Sequence, residues 1–182
     1  IFLILLFDVE EIGAISFNEA FIAILSSISL FSVDNYVTRY LLKFKKRQQK
    51  IVLFSILNLC FFLFIITLFL IYLIESFFYL PLDKLFFGTS IYILIINSIA
   101  ITFLQLIYSI VRIKNNFKGF LINNIVQFLF KYLFIILYCY YFGFDSVSYF
   151  EGLFYFSLFV IIYAIFFFYR KIEFVFRLRL IK

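Results

Sequence analysis

Five apolar stretches dominate the chain: Ile12–Val37, Ile51–Ile74, Leu85–Val111, Gly119–Phe142 and Val147–Tyr169. Each reaches the roughly 20 residues that a helix needs to cross a hydrocarbon core of about 30 Å. Only short polar segments separate them. In lipid every backbone N–H and C=O must be satisfied internally, so a span is either a helix or a strand of a closed barrel. Barrel strands are about 10 residues of alternating polarity; continuous apolar runs of this length predict helices. Composition agrees: 66% of residues are hydrophobic, 14% are charged, and the mean hydropathy is +1.15. The expected fold class is therefore an all-α integral membrane protein, a polytopic bundle of five complete transmembrane helices forming one membrane domain over residues 1–182.

The chain has no Met, and the short apolar run "IFLILLF" ends at Asp8. Residues 1–7 are read as the end of a truncated first helix, and residues 170–182 as a polar tail beyond the last span. Helix starts carry capping signals. Asp8 with Glu11, and Ser148 with Glu151, have capping-box spacing. Asp83, after Pro81, is a candidate cap for the third span.

Basic residues orient the spans. Of the 16 Lys and Arg, all but Lys84 and Lys131 fall in three places: Arg39 to Lys50, Arg112 to Lys118, and Arg170 to Lys182. All three lie on one side of an alternating topology, while Asp8, Glu10, Glu11, Glu75, Asp83, Asp145 and Glu151 lie on the other. By the positive-inside rule the basic side is cytoplasmic. The net charge of +6 thus reflects topology and contact with membrane lipids rather than nucleic-acid binding. The chain has no His, which removes His-based acid/base catalysis and most zinc sites. No metal, no cofactor and no enzymatic activity are expected. Cys60 and Cys139, both in apolar runs, read as small buried hydrophobes.

Polar residues inside the spans recur at helical spacing. The fourth span carries Asn124, Gln127, Lys131 and Tyr138. The third carries Ser98, Thr102, Gln105, Ser109 and Arg112, and the first carries Ser16, Glu19, Ser26, Ser27 and Asp34. Helix–helix hydrogen bonding, worth about 0.6–2 kcal/mol per bond, accounts for Ser98, Thr102 and Asn58. Asp34 and Arg39 can reach the boundary by snorkelling. Glu19 and Lys131 lie deeper. A Lys at a span centre costs roughly 2.5–3.5 kcal/mol on insertion scales, and such groups usually face a bundle interior or a wet cavity. Either Glu19 and Lys131 form a structural ion pair, or they line a polar cavity shared by the first, third and fourth spans.

Three segments carry a family resemblance. "FDVEEIGAISF" resembles the hairpin between the first two helices of polysaccharide flippases, with Asp8 where the hairpin's first Gly stands. "SLFSVDNYVTRYLLKFKKRQQK" resembles the end of their second helix, and "QLIYSIVRIKNNFKGFLINNIVQFLFKYLFIILYCYYFG" their fourth-to-fifth helix turn. The chain thus resembles the N-terminal lobe of O-antigen-type flippases of the multidrug/oligosaccharidyl-lipid/polysaccharide exporter superfamily. The resemblance implies two lobes of about six helices each around a central cavity. It implies movement of undecaprenyl-pyrophosphate-linked oligosaccharide across the bacterial cytoplasmic membrane by alternating access, with a C-terminal lobe of the same chain as partner. Residues 170–182 would begin the linker to that lobe. Under this reading Lys131, Gln127, Asn124 and Gln105 line the cavity and contact substrate, with Arg39 and Arg112 at its cytoplasmic mouth. Glu19 and Asp34 are the ion-coupling candidates. A membrane-embedded polysaccharide polymerase or glycosyltransferase, a small-molecule exporter of the same superfamily and a non-transporting scaffold are the alternatives.

Overall fold

The computed structural model describes residues 6–30, 33–78, 82–113 and 117–169. Among these residues it consists of helices joined by short turns, with no strand. The elements are α1 (Val9–Leu30), α2 (Val33–Tyr40), a 3-10 turn (Leu41–Lys43), α3 (Lys46–Phe78), α4 (Leu82–Leu85), α5 (Ile91–Ile113), α6 (Phe117–Phe142) and α7 (Ser146–Tyr169). Five of them, α1, α3, α5, α6 and α7, are long and apolar enough to cross a membrane. The protein is an all-α, multi-pass membrane bundle.

Helix α5 is the centre. Leu94, Ile95, Asn97, Ser98, Ala100, Thr102, Leu106, Ile107 and Ile110 are all buried, so more than one face of the helix is covered. Helices α7, α1 and α2 pack on it, and α6 packs mainly on α7. The core falls into two clusters stacked along the helix axes. One, toward the acidic end, gathers Ile22, Ile91, Leu94, Ile135, Phe150 and Val160. The other, toward the basic end, gathers Val37, Leu53, Cys60, Leu106, Ile107 and Phe168. Helix α3 is peripheral: Leu53, Ile56, Cys60 and Phe64, at steps of three and four, form its buried stripe, while Phe61, Phe62, Ile65, Phe69 and Leu70 face outward. In water such a surface would aggregate; against lipid tails it is the expected exterior. Cys60 and Cys139 are buried free thiols, as their apolar surroundings predict.

Helix ends depart from the sequence expectation in instructive ways. The first span is covered by α1 and α2, on either side of residues 31–32, which lie outside the described residues; the third begins at Ile91 rather than Leu85, because Asp83 lies in the separate one-turn helix α4. The Ser90 carbonyl accepts the Ile93 and Leu94 N–H groups and starts α5. Helix α7 is capped by Asp145, whose Oδ1 accepts the Ser148 N–H at 2.6 Å. Ser148 is therefore the third residue of the helix, not its cap. Neither capping-box glutamate folds back on its own helix. Glu11 Oε2 accepts the Ser146 N–H at the start of α7, 2.5 Å away, and Glu151 accepts the Tyr138 hydroxyl of α6 at 2.6 Å. Both carboxylates tie helices together instead.

The α6–α7 turn joins two spans through three residues. Gly143, at φ +117°, donates its N–H to the Cys139 carbonyl and ends α6 in a conformation that disfavours any side chain. Three residues later α7 begins, so the two helices run antiparallel in contact. Leu6 and Phe7 form a turn ahead of α1, and the Phe7 ring meets Phe144 and Tyr149 edge-on. The rest of the expected N-terminal helix end, and the tail at 170–182, lie outside the described residues.

Candidate functional site

A cleft of about 280 Å³ is lined by Glu19, Ile22, Ala23, Ser26 and Ser27 of α1, Ile101 and Gln105 of α5, Lys131 of α6 and Leu153 of α7. Four helices meet at it because each brings a different kind of surface. Helix α1 turns a small and polar face inward, where Ser26 and Ser27 return their hydroxyls to the Ala23 carbonyl at 3.0 and 2.8 Å. These self-satisfied hydroxyls leave a smooth wall. Helix α5 supplies Gln105 just where its stripe emerges from packing: Ser98 and Thr102 are fully buried, whereas Gln105 is exposed. Helix α6 brings Lys131, which lies one helical turn before Ile135. At Ile135 the backbone of α6 lies against Gly152 of α7, and that close approach fixes how far the lysine stands from α1.

Glu19 and Lys131 face each other across the cleft, Nζ to Oε1 at 3.5 Å. Both are near the middle of their helices, and neither is sealed: the Lys131 side chain is 29% exposed and the Glu19 side chain 44%. The same Glu19 oxygen accepts the Tyr149 hydroxyl at 2.6 Å. Tyr149 is buried and hemmed by the rings of Phe7 and Phe150. A second face of Lys131 approaches the Tyr132 ring, with Nζ 5.8 Å from its centroid. Carboxylate, phenol and ammonium thus form a short chain from α7 through α1 to α6.

The sequence candidates separate accordingly. Glu19, Gln105 and Lys131 come together at the cleft. Gln127, one turn from Lys131, accepts the Tyr108 hydroxyl of α5 and ties α6 to α5 instead. Asn124 is half-buried and is not among the described residues that line the cleft. Arg39 and Arg112 are exposed at the basic ends of α2 and α5, away from the cleft lining. The Asp34 side chain lies outside the described residues. Tyr138, which shares the lysine's sequence stripe, turns to α7 and Glu151. Asn58 is exposed on α3 rather than holding helices together.

Four contributing residues were not evident from the sequence. Tyr149 follows the Asp145 cap by one turn in a run of aromatics, and nothing in its spacing marks it. Asn97 and Ser157 form a buried bond between α5 and α7, the Ser157 hydroxyl donating to Asn97 Oδ1 at 2.8 Å. Asn18 of α1 donates to the Phe86 carbonyl and the Thr89 hydroxyl at 3.2 and 3.3 Å, pinning the turn ahead of α5. The only hint of the two asparagines was their presence in apolar runs, where an amide must find a partner.

Among the described residues no group of three or more His, Cys, Asp or Glu is arranged to hold a metal. No protein-family model, curated protein or solved structure matches the chain.

Proposed function

We propose that this chain is one lobe of a membrane transporter that passes a lipid-linked anionic oligosaccharide, of the undecaprenyl-pyrophosphate type, across the bacterial cytoplasmic membrane. The observation that carries the reading is the open cleft at Glu19, Gln105 and Lys131. A bundle built only to pack would have little use for two half-exposed charges at mid-helix, since ionisable groups there are costly and usually mark a solute pathway. The apolar outer faces and polar cleft together suit a substrate with a hydrophobic tail and a charged head. The family resemblance of the sequence supplies the chemical class of that head. Lys131 contacts its phosphate or acidic-sugar oxygens, Gln105 offers a neutral amide beside it, and a second lobe of the longer protein closes the cavity. The basic ends of the helices, with Arg39 and Arg112, face the cytoplasm.

The test is surface glycan display in a strain lacking its own flippase, using the full-length protein at matched expression. Lys131→Arg should retain display and Lys131→Leu should abolish it. Adding Glu19→Leu to Lys131→Leu should not restore it. Restoration in that double variant would reduce the pair to structural neutralisation, and full display by Lys131→Leu would remove the substrate role. A polymerase would instead leave single repeat units displayed at the surface when the protein is absent.

A further inference from the structure

Glu19 is bound unequally on its two sides. The Tyr149 hydroxyl reaches Oε1 at 2.6 Å, a short charge-assisted bond from a buried donor held between aromatic rings. Lys131 reaches the same oxygen at 3.5 Å, at the outer limit of a hydrogen bond. A well-made ammonium–carboxylate contact is about 2.7–2.9 Å. The carboxylate is therefore anchored on α7 and only leans toward α6. A lysine ammonium has three donors, and this contact engages at most one of them with Glu19. The cleft volume of about 280 Å³ is several times the ~30 Å³ share of one water, so a small anion has room beside the pair.

We infer that Glu19 is a resident stand-in anion for Lys131, displaced when the phosphoryl oxygens of the substrate arrive, with Tyr149 holding the displaced carboxylate in place. The inference rests on the transport reading and specifies how its cation is kept. In the empty cleft Glu19 neutralises the lysine, so no isolated charge faces the membrane interior. An arriving phosphate or diphosphate takes over the ammonium. Glu19, held by Tyr149, stays close enough to repel the bound anion and to reclaim Lys131 when it leaves. Affinity is lowered by this competition, and release is eased. A transporter needs both entry and departure, and a bare deep lysine would favour only the first.

The experiment is calorimetric titration of inorganic pyrophosphate into the full-length protein, held in nanodiscs of zwitterionic lipid so that no anionic headgroup competes. Glu19→Gln keeps an acceptor for Tyr149 but removes the competing charge, and should tighten binding by about fivefold, the weight of a part-exposed ion pair. Lys131→Gln should abolish binding. Tyr149→Phe removes the anchor, lets the carboxylate settle on Lys131, and should weaken binding several-fold; its melting temperature shows whether the fold is kept. Sodium glucuronate in a competition arm separates the two anion sources: failure to displace pyrophosphate supports the phosphoryl ligand, and displacement overturns it in favour of an acidic sugar. Unchanged or weaker binding by Glu19→Gln, or no binding by either protein, overturns the inference. Glycan display that persists while Glu19→Gln shows no tightening would remove the displacement step and leave transport standing. Tightening without any display by the unmodified protein would do the reverse.

Discussion

Gly152 of α7 lies so close to Ile135 of α6 that a Cβ placed on the glycine would sit 2.9 Å from the Ile135 Cα. It would also meet the Tyr138 Cβ at 3.1 Å and the Phe134 carbonyl oxygen at 3.2 Å. Two of these three atoms belong to the backbone, so no side chain can swing away to make room. Small residues at such crossings are how membrane helices gain van der Waals contact where no hydrophobic drive exists between them. Gly152→Val should force α6 outward and cost about 1–3 kcal/mol, the usual range for overpacking. Thermal unfolding of the detergent-solubilised protein reads the loss. Because Lys131 is one turn from Ile135, the same variant should also separate Lys131 from Glu19. A cysteine pair at these two positions, Lys131→Cys with Glu19→Cys, should crosslink less readily once Gly152→Val is added.

Helix α7 is started by two carboxylates, Asp145 from its own chain end and Glu11 from α1. Loss of an N-cap typically costs about 0.5–2 kcal/mol. Asp145→Ala should fall in that range, and so should Glu11→Ala, because each accepts one N–H from a buried residue at the helix start. Their combined effect should depart from additivity, since both act on the same helix terminus. Hydrogen exchange at the Ser146 to Tyr149 amides distinguishes a frayed helix start from global destabilisation.

The Ser157–Asn97 bond is buried between α5 and α7, and Asn97 Nδ2 has no partner among the described residues. Ser157→Ala would leave the whole amide unsatisfied. Measured hydrogen bonds within membranes average ~0.6 kcal/mol and reach about 2, so Ser157→Ala should cost no more than that upper figure. Asn97→Leu combined with Ser157→Ala should recover most of the loss, because two apolar groups leave nothing unpaired. Equal unfolding midpoints for the single and double variants would refute this.

Orientation is checked by impermeant thiol labelling in intact cells after the buried Cys60 and Cys139 are replaced by Ala. Single cysteines at Glu10, Lys84 and Phe144, all exposed at the acidic end, should react. Cysteines at Lys43, Lys45 and Arg112, exposed at the basic end, should react only after the cells are opened. Labelling of the second set from outside would reverse the assignment of sides.

How far the sequence could be read depended on which physical constraint each residue answers to. The spans were legible because lipid imposes a minimum apolar length, and α3, α6 and α7 each cover the expected segment. The roles of Glu11 and Glu151 were not, because capping-box spacing describes only the local option, while each carboxylate found a donor on a neighbouring helix. The stripe on α5 was ambiguous for a related reason. A central helix is covered on more than one face, so Ser98 and Thr102 are buried in packing while Gln105, on the same stripe, reaches the cleft. The meeting of Glu19 with Lys131 was open in the sequence as one of two arrangements. Their 3.5 Å contact lies at the edge of a cleft, so pairing and a shared polar cavity occur together. Tyr149 could not be found at all, since one tyrosine among many aromatics carries no periodic signal.

Helix α3 has a consequence for the membrane itself. Its charge-free run Ile51–Ile74 is 24 residues within a helix of 33, against 22 to 26 residues for the other four spanning helices. At 1.5 Å per residue that run is about 36 Å of greasy cylinder facing roughly 30 Å of hydrocarbon. The surplus must be taken up by leaning or by thickening the surrounding lipid. Helix α3 touches the bundle along one narrow stripe, so it can lean with little repacking, as the four shorter spans cannot. Bilayer thickness therefore acts on this one helix first, standing it upright in thick membranes and laying it over in thin ones.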